Sequence, residues 1–310
     1  MQISILLAQQ IAQLFLILIM GYAVVKAGLL KASDSRVLSV VMVYLVTPCV
    51  IINAFQIDDT PEIRKGLLYS MAIAAAIHVV LLGISALLSR PLKLDAVEQV
   101  NVIYSNAAAL VIPLVKALMG DAYVIYSCAF IIVQLVLLWT HASSLLQGSS
   151  ALDWKKVLTN INMIAIAAGA LLYWFRVVLP APLQNTMSTV GNMMGPMGML
   201  LAGMAIAEKP LRDVFCTRRN YLPTVLRLVV CPLVMLVLLW VCHASSWVAD
   251  GKNILMTVYL AAITPACATV TSMAQLYDRD AAHSSALYVL TTLLSIITMP
   301  VMIGLFDLLL

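Results

Sequence analysis

Long apolar stretches separated by short polar connections run along the whole chain. A membrane-spanning helix needs about 20 mostly apolar residues, and windows free of Asp, Glu, Lys and Arg repeatedly reach or approach that length. We predict ten spans, over residues 1–25, 37–57, 66–89, 99–115, 122–152, 157–175, 177–207, 228–249, 253–277 and 281–306. The pattern therefore predicts an all-α integral membrane protein.

Composition agrees with this prediction, and the motifs argue against a metal-binding protein, a disulfide-framework protein and an enzyme. Hydrophobic residues make up 63% of the 310 positions and charged residues 10%, and the mean hydropathy is +1.02. Residues 1–25 lack a basic n-region and a small-residue cleavage site, so we take them as the first span. The six cysteines form no CxxC pair, so we expect neither a metal site nor a disulfide framework. We expect no enzyme, since the chain lacks a His-Glu-x-x-His pair and a Walker lysine loop.

Basic residues in the connections predict the orientation, because they are retained on the cytoplasmic side. Twelve fall on one face and five on the other, which places both termini outside the cytoplasm if the chain lies in an inner membrane. The formal charge of +4 then reflects topology, and no nucleic-acid partner is expected. The richer face holds Lys26, Lys31, Arg36, Arg90, Lys93, Lys155, Lys156, Lys209, Arg212, Arg218, Arg219 and Arg279, and the other face holds Arg64, Lys65, Lys116, Arg176 and Lys252.

The chain divides into two halves of five predicted spans each. The most linker-like stretch covers residues 147–156, which contain Gly148-Ser149-Ser150 and two adjacent lysines. An odd number of spans per half makes the second half enter the membrane from the opposite face, so a structural repeat has to be inverted. We expect one repeat over residues 1–149 and the other over residues 150–310.

Span 4 and span 9 each carry a proline near the middle. Pro113 follows Ser105 and Asn106 in span 4, and Pro265 follows Thr264 in span 9. A proline in a helix removes a backbone hydrogen bond, and in lipid the freed carbonyl needs another partner. Interrupted helices at matching positions of two halves point to the substrate site of a secondary transporter.

The chemistry of such breaks favours an anionic substrate. Half-helices that begin at a break direct unpaired N–H groups at the cavity, which favours a carboxylate by roughly 0.3–1 kcal/mol per helix end. Asn106 adds an amide donor, and Ser105, Thr264 and Thr269 offer hydroxyl groups. The alternative is that Asn106 makes an ordinary interhelical hydrogen bond and that the prolines are simple kinks.

Three ionisable residues in or next to apolar windows are candidates for a proton or anion pathway. Arg227 directly precedes the charge-free window 228–249, about two turns into the apolar segment of span 8, where it either attracts anions in the inner vestibule or snorkels to the surface. His78 lies in the middle of span 3, as a neutral hydrogen-bonded residue or a proton carrier, and His141 lies closer to a span end. No Asp or Glu falls in the middle of a window, so the sequence predicts no carboxylate proton relay. Coupling to a proton or sodium gradient and uniport both stay open.

Three segments also resemble the auxin efflux carrier family, which includes plant auxin exporters and bacterial malonate or malate permeases. They are residues 17–56, with Thr47-Pro48, residues 105–120, and residues 265–300, with Met273 to Tyr277. Gln134, Trp139 and Gly203 fit this family as well, so the resemblance covers essentially the whole chain. The family is similar in fold to the bile acid sodium symporter-like transporters.

The resemblance implies ten helices in two inverted five-helix repeats. Helices 1, 2, 6 and 7 would form a scaffold, helices 3–5 and 8–10 a transport domain, and the broken helices 4 and 9 would cross at the substrate. Asn106 would face the substrate carboxylate, and Ser105 stands where the plant members have proline.

We therefore expect a carrier of small organic anions such as malonate, malate or auxin-like acids, with a channel or a transporter-derived receptor as the alternative. No cofactor is expected, and a homodimer stays open. The candidate substrate-binding residues are Ser105, Asn106, Pro113, Gln134, Thr264, Pro265, Ala266 and Thr269.

Overall fold

The computed structural model describes residues 2–56, 60–148, 159, 161–207 and 211–310, and these residues form helices and connections without a β-strand. The first five helices are α1 Gln2–Lys26, α2 Ala32–Asn53, α3 Pro61–Ser89, α4 Ala96–Ile103 and α5 Ala107–Met119. The next five are α6 Val124–Gln147, α7 Ile161–Trp174, α8 Ala181–Ile206, α9 Leu211–Cys216 and α10 Arg218–Val241. The last three are α11 Gly251–Ile263, α12 Ala268–Leu276 and α13 Ala281–Leu309.

Six helices in the described part of the chain are long and apolar enough to cross a membrane. They lie in α2, α3, α6, α8, α10 and α13, and shorter apolar helices cover Phe15–Lys26, α7 and α11. Since the apolar windows that predicted spans 4 and 9 contain the pairs α4/α5 and α11/α12, the structure divides each of these windows into two short helices. The chain is therefore an all-helical, multi-pass membrane protein.

The predicted boundaries of spans 5 and 8 are among those that differ from the helices. The helix of span 5 ends at Gln147, where Gly148 adopts a left-handed φ of 72° that glycine tolerates without strain, and residues 149–152 lie outside the described part. The helix of span 8 begins at Arg218 instead of residue 228. A window free of charges cannot extend past Arg227, although the helix does.

Two long helices each contain a widened turn just before a proline and continue past it. The π-helical turns Met42–Val46 and Leu226–Val230 come just before Pro48 and Pro232. A proline cannot donate to the carbonyl four residues earlier, and widened turns of this kind are common where the hydrogen-bond ladder is disturbed. Arg227 lies within the second of these turns.

The helices α1 and α8 are in backbone-to-backbone contact through two glycines. A Cβ atom on Gly21 would collide with the Leu200 carbonyl, and a Cβ atom on Gly203 would collide with the Leu18 carbonyl. Small residues permit this close approach, which supplies most of the packing energy between helices in lipid. The helix α2 packs on α7 and α8, whereas α3, α6 and α11 pack on one another.

Candidate substrate site at the helix crossover

The two interruptions, at residues 104–106 and 264–267, lie against each other in the interior. Ser105 and Ala266 form an isolated antiparallel bridge between the two extended segments. Both residues are buried. The four half-helices α4, α5, α11 and α12 therefore converge on one point.

Two backbone hydrogen bonds hold this crossover together. The Asn106 N–H donates to the Pro265 carbonyl at 2.8 Å, and the Cys267 N–H donates to the Tyr104 carbonyl at 3.1 Å. Extended backbone inside a membrane protein is tolerated only where its polar groups have partners. The two segments thus supply partners for each other.

A side chain from a neighbouring helix binds the central residue of each segment. The Gln134 Oε1 atom on α6 accepts from the Ser105 N–H at 2.9 Å and from its hydroxyl at 2.7 Å, and the Gln134 Nε2 atom donates to the Ser105 carbonyl at 2.8 Å. On the other side, the Ala266 N–H donates to the Thr291 hydroxyl on α13 at 3.1 Å. Gln134 therefore fixes the crossover, which explains a buried amide in an apolar helix.

Arg227 binds the carboxyl-terminal ends of both incoming half-helices. Its Nη1 atom donates to the carbonyls of Val102 and Ile103, at 3.1 and 3.2 Å, at the end of α4. Its Nη2 atom donates to Ala262 at 2.5 Å and to Thr264 at 2.8 Å, and its Nε atom donates to Thr264 at 3.1 Å, at the end of α11. The side chain is 1% exposed. Snorkelling is therefore wrong for this arginine, because all five N–H groups point inward to the crossover.

Asn106 immediately precedes α5, and its carbonyl accepts from the Leu110 N–H at 3.1 Å. Its side-chain amide donates one long hydrogen bond, 3.4 Å, to the Tyr288 hydroxyl. A bond of that length is weak, which leaves this amide less committed than the Gln134 amide. Asn106 therefore combines a position at a helix N-terminus with a donor that a carboxylate could take.

The other candidates from span 9 lie at the same place. The Thr264 hydroxyl donates to the Ala261 carbonyl at 3.0 Å, and Thr269 lies in the first turn of α12. Both threonines are buried. The structure thus assigns a local partner to the Thr264 hydroxyl, and a substrate role for both threonines stays a prediction.

Pro113 does not mark the interruption of span 4. The helix α5 runs through it from Ala107 to Met119, and the break lies ahead of Ala107, at Tyr104 to Asn106. The side-chain surroundings of Pro113 lie outside the described part of the structure. The break therefore lies ahead of this proline, and its extended segment pairs with residues 264–267.

The family comparison agrees with this architecture. Residues 6–152 and 150–303 match the family described as membrane transport protein, the auxin efflux carrier family. The chain belongs to this family. No curated protein matches the chain. Members of the auxin efflux carrier family are membrane transporters and are not classed as enzymes, so the buried polar groups are best interpreted in terms of solute binding and movement.

In this family member, His78 lies behind the crossover on α3. Its Nδ1 atom is 2.7 Å from the Ala74 carbonyl, and its ring centroid is 4.8 Å from that of Phe130. The buried Nε2 atom has no hydrogen-bond partner among the described residues. This bonding is typical of a neutral, structurally held histidine, and a role in proton transfer stays a prediction.

His141 is connected to the crossover through a tyrosine that the sequence did not single out. The hydroxyl of the buried Tyr104 lies 3.0 Å from His141 Nδ1 and donates to the Leu137 carbonyl at 3.0 Å. The Tyr104 carbonyl takes part in the crossover pairing, so His141 contacts a residue of the crossover without belonging to it.

A group of potential metal ligands lies away from the crossover. Ligand atoms of Asp95, Glu98 and His283 fall within 4.8 Å of one another. The Glu98 carboxylate accepts from Arg219 Nε at 2.6 Å and from the Asp95 N–H at 3.0 Å. An ion pair and a helix cap therefore account for the group, and they join the beginnings of α4, α10 and α13.

Besides Tyr104, sequence reasoning missed Thr291 and Tyr288 at this site. Both lie on α13 within an apolar window and are buried. A pair of hydroxyl residues one turn apart in an apolar helix is itself unremarkable. The available signal was the repeat, because an inverted copy of the Ser105–Gln134 contact requires a polar partner in span 10.

Proposed function

We propose that this chain is a secondary carrier of small organic anions that binds a substrate carboxylate at the crossover. The observation that carries the proposal is the convergence of four half-helices beside Asn106, with the backbone bonds from Asn106 to Pro265 and from Cys267 to Tyr104. The amino-terminal ends of α5 and α12 begin at this point, and positive helix ends favour an anion.

The helix contacts support the rest of the account. We propose ten spans in two inverted repeats, residues 1–149 and 150–310, in which α4/α5 and α11/α12 each count as one broken span. The helices α1 and α8 pair across the halves as α7 and α2 do, which is the pattern an inverted repeat requires. These four helices would form the scaffold, and α3 to α6 with α10 to α13 would form the moving domain.

The mode of action follows from this division. The carrier would expose the crossover alternately to each face by displacement of the moving domain against the scaffold, in an elevator-like or rocking motion. We propose an inner-membrane orientation with both termini outside the cytoplasm, as the basic residues indicate. Mono- and dicarboxylates such as malonate, malate or an aromatic acid fit, because amides and helix ends accept many carboxylates.

Counterflow in proteoliposomes tests the proposal and separates a carrier from a channel. Liposomes that hold the purified protein and excess unlabelled acid should accumulate the same labelled acid transiently. A carrier that releases unlabelled acid outside returns to the inside with labelled acid bound. A panel of mono-, di- and aromatic carboxylates identifies the class, and protein-free liposomes are the control. Flux without counterflow or saturation would indicate a channel, and no movement of any acid would refute the carboxylate carrier.

A further inference from the structure

The carbonyl groups that Arg227 binds form a set that needs a positive charge. They are the last carbonyls of two half-helices, which have no partner within their own helix and lie at the negative ends of two helix dipoles. Water is absent from the hydrocarbon region, so each unpaired group would cost several kcal/mol. Two such ends meet at one point, and together they make a site for a cation.

In many secondary transporters this kind of site holds an exchangeable ion, because the carboxyl-terminal ends of broken helices and unwound carbonyls coordinate Na⁺. Here a side chain fills it. The guanidinium has five N–H groups and stays charged, and each of the five is directed at a carbonyl of Val102, Ile103, Ala262 or Thr264.

The charge is also uncompensated by an acid. Among the described residues Arg227 forms no ion pair, and its hydrogen bonds all go to backbone oxygens. The chain has no Asp or Glu in the middle of an apolar window. A carboxylate that would complete a sodium site is therefore missing, and the positive charge remains available to stabilise an anion nearby.

We propose that the guanidinium of Arg227 is a tethered cation that replaces a coupling ion at the crossover. It positions the ends of α4 and α11 permanently, so the binding site for the anion is assembled without Na⁺. The inference rests on the proposed function for its transport readout. Arg227 acts as a positioning residue, through the helix ends and not by contact with the substrate.

The first arm uses the unaltered protein in the counterflow assay. Replacement of Na⁺ by choline on both sides should leave the rate and the half-saturating concentration unchanged. A requirement for Na⁺ would overturn the inference while leaving the anion carrier intact. If the unaltered protein moves no acid at all, the proposed function fails instead, and the second arm still tests the tethered cation.

The second arm replaces the tethered cation by a free one. Arg227→Ala should lower the counterflow rate by about tenfold or more, since several hydrogen bonds to a charged group are lost. Millimolar guanidinium should then restore part of the rate and raise the melting temperature of this variant in a saturable way. Urea, which has nearly the same shape but no charge, should do neither. The stability readout needs no substrate.

Arg218→Ala is the matched control, because Arg218 lies on the same helix and is exposed. It should keep the melting temperature and show no response to guanidinium. Full activity of Arg227→Ala, or equal rescue by urea, would overturn the inference. If the alanine variant does not fold, Arg227→Lys keeps the charge with fewer donors. It should transport without Na⁺ at a reduced rate, and a sodium requirement in this variant would equally overturn the inference.

Discussion

At the scale of single residues, the crossover depends on side chains that satisfy backbone groups. Gln134 binds the N–H and carbonyl of Ser105, and Thr291 binds the N–H of Ala266. A buried backbone group without a partner costs about 1–3 kcal/mol. These polar residues are therefore required in apolar helices even where they do not contact the substrate.

A comparison of Thr291→Val with the same substitution at the equally buried Thr292 tests this requirement. The valine is nearly isosteric but leaves the Ala266 N–H without a partner, so we expect a loss of stability of about 1–2 kcal/mol and slower transport. Thr292→Val is the matched control, because the Thr292 hydroxyl bonds only to the Tyr288 carbonyl of its own helix. Thermal unfolding of the purified variants measures the difference, and equal melting temperatures would refute the role of Thr291.

At the scale of helices, the proline of span 9 lies at the break, whereas the proline of span 4 lies beyond it. Thr264-Pro265 lies within the interruption of span 9, whereas Pro113 lies inside α5. A proline shows only where a helix is weakened, and the position of a break also depends on what pairs with it. The same limit explains Arg227, because its role appears only once two helix ends are known to converge.

The glycine contacts between α1 and α8 give an element-scale prediction. Gly203→Ala should destabilise the protein by about 1–3 kcal/mol, because its Cβ would push against the Leu18 carbonyl of the facing helix. Gly83→Ala is the control: a Cβ atom on Gly83, in α3, would meet nothing within 4 Å, and alanine there should stabilise the helix by up to about 1 kcal/mol. Melting temperatures that shift alike in both variants would contradict the close packing of these helices.

At the scale of the whole molecule, the two proposed bodies pack helix against helix and also share a few polar contacts. The Ser285 hydroxyl donates to the Ala202 carbonyl at 2.6 Å, and Arg36 pairs with Asp278 at 2.8 Å. The ion pair is exposed, and such pairs contribute little stability. Contacts of this kind can break and re-form during a displacement of one body against the other.

Cross-linking tests that displacement. A short bismaleimide between Arg36→Cys and Asp278→Cys should stop transport, because the link joins the proposed scaffold to the proposed moving domain. The matched pair is Lys252→Cys and Asp307→Cys, which replaces an exposed ion pair of 4.0 Å within the proposed moving domain. That link should leave transport intact.

Both pairs are made with Cys216 and Cys242, the exposed native cysteines, replaced by serine. Counterflow before and after cross-linking is the measurement. Full activity of the first linked pair would exclude a rigid displacement of these two groups of helices.

The central claim is that Asn106 binds the carboxylate of the transported anion, and its affinity is the most direct test. Asn106→Ala should raise the half-saturating concentration in counterflow about 10- to 100-fold, since a hydrogen bond to a charged group is worth about 1.5–3 kcal/mol. Asn106→Asp should abolish saturable transport by repelling the anion, whereas Asn185→Asp, at an exposed position, should not. Unchanged affinity in properly folded Asn106 variants would contradict the account.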